Sequence, residues 1–150
     1  MKLLKQAIHT ALRDDSVATV GLRALLGHAA LPFGVYYHFL PEQPDFSTSH
    51  WLTWHLLTGS PVAAPESSAY LRETTFDVTA WSEDADKVED ILLRVRAVLE
   101  NARKVTRPTS ECDLHAIKWE GHGPDLFDPK FQVYFRSENY RAFHREDVTS

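Results

Sequence analysis

Arg72 to Ala102 reads RETTFDVTAWSEDADKVEDILLRVRAVLENA, and the period of its apolar residues changes partway along. From Ala69 to Trp81 the chain alternates. Tyr70, Arg72, Thr74, Phe76, Val78 and Ala80 share one side, and Leu71, Glu73, Thr75, Asp77 and Thr79 the other, which is the two-residue period of a strand. Phe76, Val78 and Ala80 are expected to be buried. Beyond Ser82 or Asp84, either of which suits a helix N-cap, Val88, Ile91, Leu92, Val95, Val98, Leu99 and Ala102 recur at spacings of three and four. That stripe predicts an amphipathic helix, with an Asp90–Arg94 pair on its wet side at the favourable i,i+4 spacing. A strand with one apolar face running straight into such a helix calls for a sheet with helices laid on it.

The segments on either side extend this frame. Leu4, Ile8 and Leu12, with Ala7 and Ala11, make a first helical stripe that Asp14-Asp15-Ser16 breaks. Val17 to Leu26 predicts a short second helix with Val20, Ala24 and Leu25 inward, weakened by Gly21 and closed by Gly27 in a left-handed conformation. LPFGVYYHFLPEQPDFSTSHWLTWHLLTG, Leu31 to Gly59, then reads as two aromatic strands, Phe33–Leu40 and His50–Leu57, forming a hairpin around the proline-rich loop that starts at Pro41. Thr58-Gly59-Ser60-Pro61 is expected to end the second strand, with a loop over Val62–Ser68.

Arg107-Pro108 closes the long helix region, and Asp113–Glu120 predicts a further strand before the turn Gly121-His122-Gly123-Pro124. Phe131, Val133 and Phe135 open a last strand, expected to reach His144 across a bulge near Ser137–Asn139 and to leave a frayed tail over Asp147–Ser150. The element order predicts an α+β fold, an antiparallel sheet of about five strands with helices packed on one face, in one domain over residues 1–150.

Composition narrows the functional classes. At 150 residues the chain can bury a core without staples, and 43% apolar with 25% charged residues is ordinary for a globular protein. A net charge of -5 disfavours unspecific duplex binding. Cys112 is the only cysteine, so no intrachain disulfide or thiolate zinc cluster is expected, consistent with a reducing cytosol. MKLLKQAIHTALRDD never reaches a signal-peptide core, and no stretch approaches the ~20 apolar residues of a membrane span.

Motifs for chemistry are sparse. The nearest histidine pairs, His50 with His55 and His115 with His122, lack the spacing that puts two ligands on one face, so neither a metal nor a cofactor is expected. Cys112 beside His115 has no third group to orient a base. Gly59, Gly121 and Gly123 do not form a phosphate loop, and the carboxylates around Glu83–Asp86 read as helix N-terminal charges. What stands out is aromatic: Tyr36 with Tyr37, and Trp51 with Trp54, have opposite strand parity, so both faces of the hairpin should carry large apolar surface. One face has the helices to cover it, and an uncovered face marks an interface. The candidate interface residues are therefore Tyr36, Phe39, Pro41, Glu42, Pro44, Phe46, Trp51, Trp54 and Pro61. The alternative is a small ligand-binding or enzymatic α+β domain with an aromatic pocket.

The chain also resembles the tail-completion family of tailed phages and prophages, the tail terminators or head-to-tail joining proteins. The resemblance runs from about Leu4 to Glu146, through LRALLG, VYYHFLPEQPDF, WLTWHLLTGSP, FDVTAWSEDADKVEDI and DLFDPKFQVYFRSENYRAFHRED. It implies no active site and no catalysis. It implies a virion protein at the head-proximal end of the tail, assembled in the host cytoplasm. There a homo-oligomeric ring, usually of six copies, caps the tail-tube protein and meets the head-tail connector. DNA would pass through the ring lumen without sequence-specific binding, which an acidic protein suits. A neighbouring connector or tail-tube component is the second reading in that class. The loops Pro41–Ser49 and Pro61–Ser68 and the crowded tryptophans depart from the family pattern.

Overall fold

The computed structural model describes residues 2–61, 71–101 and 112–146. The chain runs α1 (Lys2–Arg13), α2 (Leu22–Leu26), β1 (Val35–Tyr37), β2 (Trp51–Pro61), β3 (Leu71–Ser82), α3 (Ala85–Glu100), β4 (Cys112–His122), β5 (Leu126–Asp128) and β6 (Val133–Glu146). The fold is α+β, a six-stranded sheet in the order β1-β2-β3-β6-β4 with β5 paired to β6. The expected loop at Val62–Ser68, the helix end near Arg107-Pro108 and the tail after Asp147 lie outside the described residues.

β3 and β6 form the axis of the sheet, antiparallel and in unbroken register from Leu71↔Arg145 to Ser82↔Tyr134. This register sorts the side chains of three strands. Leu52, Trp54, Phe76, Val78, Ala80, Tyr140 and Ala142 are buried in one core with Leu4, Ile8 and Leu12 of α1 and Val88, Ile91, Leu92, Val95 and Leu99 of α3. Both expected helical stripes therefore face the sheet. Each of these larger side chains contributes roughly 1.5–3 kcal/mol by leaving water. Asp84 caps α3, its carboxylate accepting the Asp86 amide at 2.9 Å, while Ser82 Oγ accepts the Asp84 amide at 3.0 Å.

Charged groups close the helix layer onto the sheet. Glu138 is buried on β6, accepts the Tyr140 hydroxyl at 3.1 Å and pairs with Arg96 of α3 at 3.2 Å. Burial first, and then the Glu138 charge, pushes the Tyr140 hydroxyl far above its ordinary range, so it stays protonated and donates. Arg96 also lies 4.0 Å above the Trp119 ring of β4.

Five expectations are corrected. β1 is parallel to β2, in the register Val35↔Leu52, so the two aromatic strands are not a hairpin. Residues 38–50 are long enough for the crossover of about a dozen residues that a parallel pair requires. β1 also stops at Tyr37, because His38 takes φ +72 and turns the chain out of the sheet. β2 continues through Thr58–Pro61, paired to β3 across a register shift between Leu56 and Thr58. The bulges at the other edge belong to β4, at Leu114/Ala116 and Trp119/Gly121, while β6 runs straight. Finally, α2 buries Leu22 and Leu26, leaving Val20 half-exposed before the helix starts.

Two glycines are fixed by geometry. Gly27 closes α2 at φ +77, as its position predicts. Gly34, at φ +82, leads into β1 where a Cβ would lie 2.5 Å from His28 Cδ2.

Arg94 does not pair with Asp90. It reaches the turn after α1 and binds both Asp15 carboxylate oxygens at 2.8 Å, while Asp15 also accepts the Leu22 amide at 2.8 Å. Burial alone would raise the Asp15 pKa, but the Arg94 and Leu22 hydrogen bonds and the Arg94 charge outweigh it and hold the carboxyl below its ordinary range. A depressed folded pKa gives stability that is present above about 3.9 and lost as pH falls through the folded value. Asp15→Ala is expected to cost about 2–3 kcal/mol in urea unfolding at neutral pH and to flatten the loss of stability in acid. An unchanged midpoint would show that the bridge does not hold α1 and α2 to α3.

Candidate interaction surface

The parity argument holds for the aromatic rings, but their burial differs from expectation. Trp54 faces the helices and is fully buried, with Tyr37 at 4.9 Å and Phe76 at 6.1 Å between ring centres. Trp51 faces the opposite side and is also buried, at 8% exposure. Its cover comes from the protein's own loop. Phe46 folds back over it to form a second apolar cluster with Val133, and Tyr36, Leu40, Trp81 and Phe131 pack around them. Asp45 fixes that loop: its carbonyl accepts Trp51 Nε1 at 3.0 Å, and its carboxylate accepts the Ser47 amide at 2.9 Å. Elsewhere the helix-free face is mixed, carrying Thr53, His55, Thr75, Asp77, Thr79, Ser137 and Asn139 across the β2–β3–β6 register, with Phe135 stacked on Trp81 and Phe143 opposite Glu73. The apolar end around Trp51 is thus covered by the thirteen residues between β1 and β2, whereas Leu126, Phe127 and Tyr134 of β5 and β6 are exposed.

The nine candidate residues therefore separate. Trp54, Trp51 and Phe46 are core, and Tyr36, Pro41 and Pro44 are half-buried. Phe39, 80% exposed, and Glu42 stand out into solvent, and Pro61 ends β2. His38 stacks on Phe39 and on His55 at 5.5 Å each, so the loop tip is an ordered projection from the β1 edge.

Sequence spacing missed one pairing that could suggest catalysis. Ser82 Oγ lies 2.8 Å from His50 Nδ1. Ser82 has no exposed surface, and its oxygen already accepts the Asp84 amide. Burial first, and then Lys87, lowers the His50 pKa, so a neutral ring shares this hydrogen bond with the hydroxyl. The contact anchors the start of α3 to the lead-in of β2. Among the described residues, no three His, Cys, Asp or Glu side chains converge as metal ligands, and no helix is long and apolar enough to cross a membrane. Cleft space lies in the helix layer: about 530 Å³ between α1 and α3, lined by Thr10, Ala11, Asp14, Val17, Arg94 and Ala97 among others, and about 310 Å³ along α1. Neither is lined by aromatic rings.

Two half-buried groups add to the pH response of Asp15. Trp54 Nε1 donates to His9 Nδ1 at 3.0 Å, which requires that nitrogen unprotonated. Burial, followed by the charges of Arg13 and Lys5, lowers the His9 pKa. Its contribution is complete above about pH 6.5 and shrinks as pH falls toward the folded value. Asp77 has the opposite sign: burial raises its pKa, with His55 opposing, and its Oδ1 is closed from water with no hydrogen-bond partner among the described residues. Its favourable contribution exists below about pH 3.9 and is lost as pH rises through the folded value. His9→Gln is expected to reduce the stability lost between about pH 7.5 and about pH 5.5. Asp77→Asn is expected to raise neutral-pH stability on the order of 1 kcal/mol. Thermal unfolding at the two pH values checks both, and identical pH profiles for wild type and His9→Gln would remove His9 from the account.

No protein-family model matches the chain, and no curated protein matches it. Among solved structures, the chain is similar in fold to one in the virion of a native gene transfer agent particle. The TM-score is 0.66 at 16% sequence identity, over 95% of this chain and 94% of that one.

Proposed function

We propose that this chain is a structural protein of a phage-like virion, acting by assembly and without catalysis. In this reading it forms a ring, of six copies in the simplest case, that caps the tail tube and joins it to the head connector. The observation that carries it is the near-complete overlap in fold with a chain of a gene transfer agent virion, 95% of one against 94% of the other. The sequence resemblance to tail-completion proteins points the same way. An acidic chain, at net charge -5, suits a lumen through which DNA slides without sticking. A small-molecule pocket draws no comparable support, since neither cleft in the helix layer is lined by Phe, Tyr or Trp.

Phe39 and Glu42 are the exposed members of the candidate set among those whose burial is described. Phe39 buries almost nothing in the protomer, so Phe39→Asp is expected to leave the unfolding midpoint within about 0.5 kcal/mol of wild type. The same substitution should reduce incorporation into particles. Electron microscopy of particles made without this protein tests the role itself: overlong or headless tails support it, and normal particles of full infectivity or transfer activity overturn it.

A further inference from the structure

The helix layer segregates its charge. α1 contains no Asp or Glu from Lys2 to Arg13, and its outward residues Lys5, Gln6, His9, Thr10 and Arg13 line a depression of about 310 Å³. After burial, Arg13 and Lys5 lower the pKa of His9 between them, and Lys5 Nζ also lies 3.7 Å from the Tyr37 ring centre. Arg13 shares Asp14 with Arg23, which lies 3.9 Å away, so cations exceed carboxylates at that end. The N-terminal half of α3 is the reverse. Residues 83–90 carry Glu83, Asp84, Asp86, Glu89 and Asp90 against one base, Lys87.

Asp86, Glu89 and Asp90 are exposed and lie on one side of α3, with half-exposed Leu93 continuing the stripe at spacings of three and four. None of the three carboxylates forms an ion pair among the described residues. The base that Asp90 would use one turn on, Arg94, is held by Asp15. Like charges at these spacings repel, while Asp86, in the first turn, also faces the positive end of the helix dipole. A closed ring needs two different patches that fit each other, and opposed charge is one such fit.

We propose that the carboxylate-free face of α1 on one copy receives the acidic stripe of α3 on the next copy, Lys5 and Arg13 meeting Asp86, Glu89 and Asp90 around Leu93. The inference rests on the ring reading and names its contact. The other occupant for a cationic helix face, a nucleic-acid backbone, is less favoured by the net charge of the chain.

The test uses the full chain at high concentration, with self-association followed by light scattering and zero-length carbodiimide cross-linking. Expected are intermolecular cross-links from Lys5 to Asp86, Glu89 or Asp90, and loss of oligomer as salt rises from about 0.1 to about 1 M, where the screening length shrinks from about 10 to about 3 Å. Lys5→Glu with Arg13→Glu should weaken association about tenfold or more, as should Asp86→Lys with Glu89→Lys, and all four together should restore it. Circular dichroism of each variant separates misfolding from lost contact, and Leu93→Ser provides a second probe without charge reversal. Oligomers cross-linked elsewhere, or no rescue by the fourfold variant, overturn this contact and leave the ring reading standing. A monomer under all conditions overturns the contact as well, while the ring itself is judged by the particle microscopy. Binding of duplex DNA abolished by Lys5→Glu with Arg13→Glu, without rescue, replaces the second copy with nucleic acid.

Discussion

Everything in the fold is referred to the pairing of β3 with β6. Twelve residues of β3 meet β6 without a slip, and a shift of one would turn Phe76, Val78 and Ala80 away from α3 and expose them. The same ladder places Tyr140 against Phe76, with ring centres 5.4 Å apart, and sets Glu138 beneath Arg96. Because β2 is antiparallel to β3, the ladder also fixes which tryptophan of β2 looks inward. The outward one then requires its own cover, and the loop before β2 supplies it.

Local periodicity made the helices and central strands legible. Val88, Ile91, Leu92, Val95 and Leu99 carry a period that nothing else in the fold can override, and the stripe of α1 is equally plain. Strand direction was not legible. Phe33 to Leu40 and His50 to Leu57 look alike whether paired parallel or antiparallel, and the outcome depends on where residues 38–50 travel. A positive φ at His38 and the docking of Phe46 on Trp51 decide it, and both are tertiary facts. Helix pairing was misread for a related reason. An i,i+4 partner offers Arg94 a few tenths of a kcal/mol, whereas a part-buried bidentate contact with Asp15 offers more.

The candidate surface was half legible. The parity of Trp51 and Trp54 gave the two faces correctly, but parity cannot count the residues of a loop that returns over one of them. Aromatic crowding in that region turned out to build a second small core rather than an open patch. Charge segregation between α1 and α3 was written in the sequence throughout. It acquires meaning only when the fold shows that Arg94 is committed to Asp15 and that the acidic stripe is exposed.

The second core gives the loop a mechanical role. Association costs about 0.5–1.5 kcal/mol for each rotamer-rich side chain that must be ordered, and a mobile loop adds its backbone. Here part of that ordering occurs on folding. Phe46 is buried, Asp45 ties the chain to Trp51 and Ser47, and His38 stacks on both Phe39 and His55. Phe39 is thereby presented on a prearranged base, so a partner that docks there meets less of this ordering cost. Evolution could lengthen or redecorate the segment between Pro41 and Ser49 without disturbing the β3–β6 axis, provided that Phe46 and Asp45 keep their anchors.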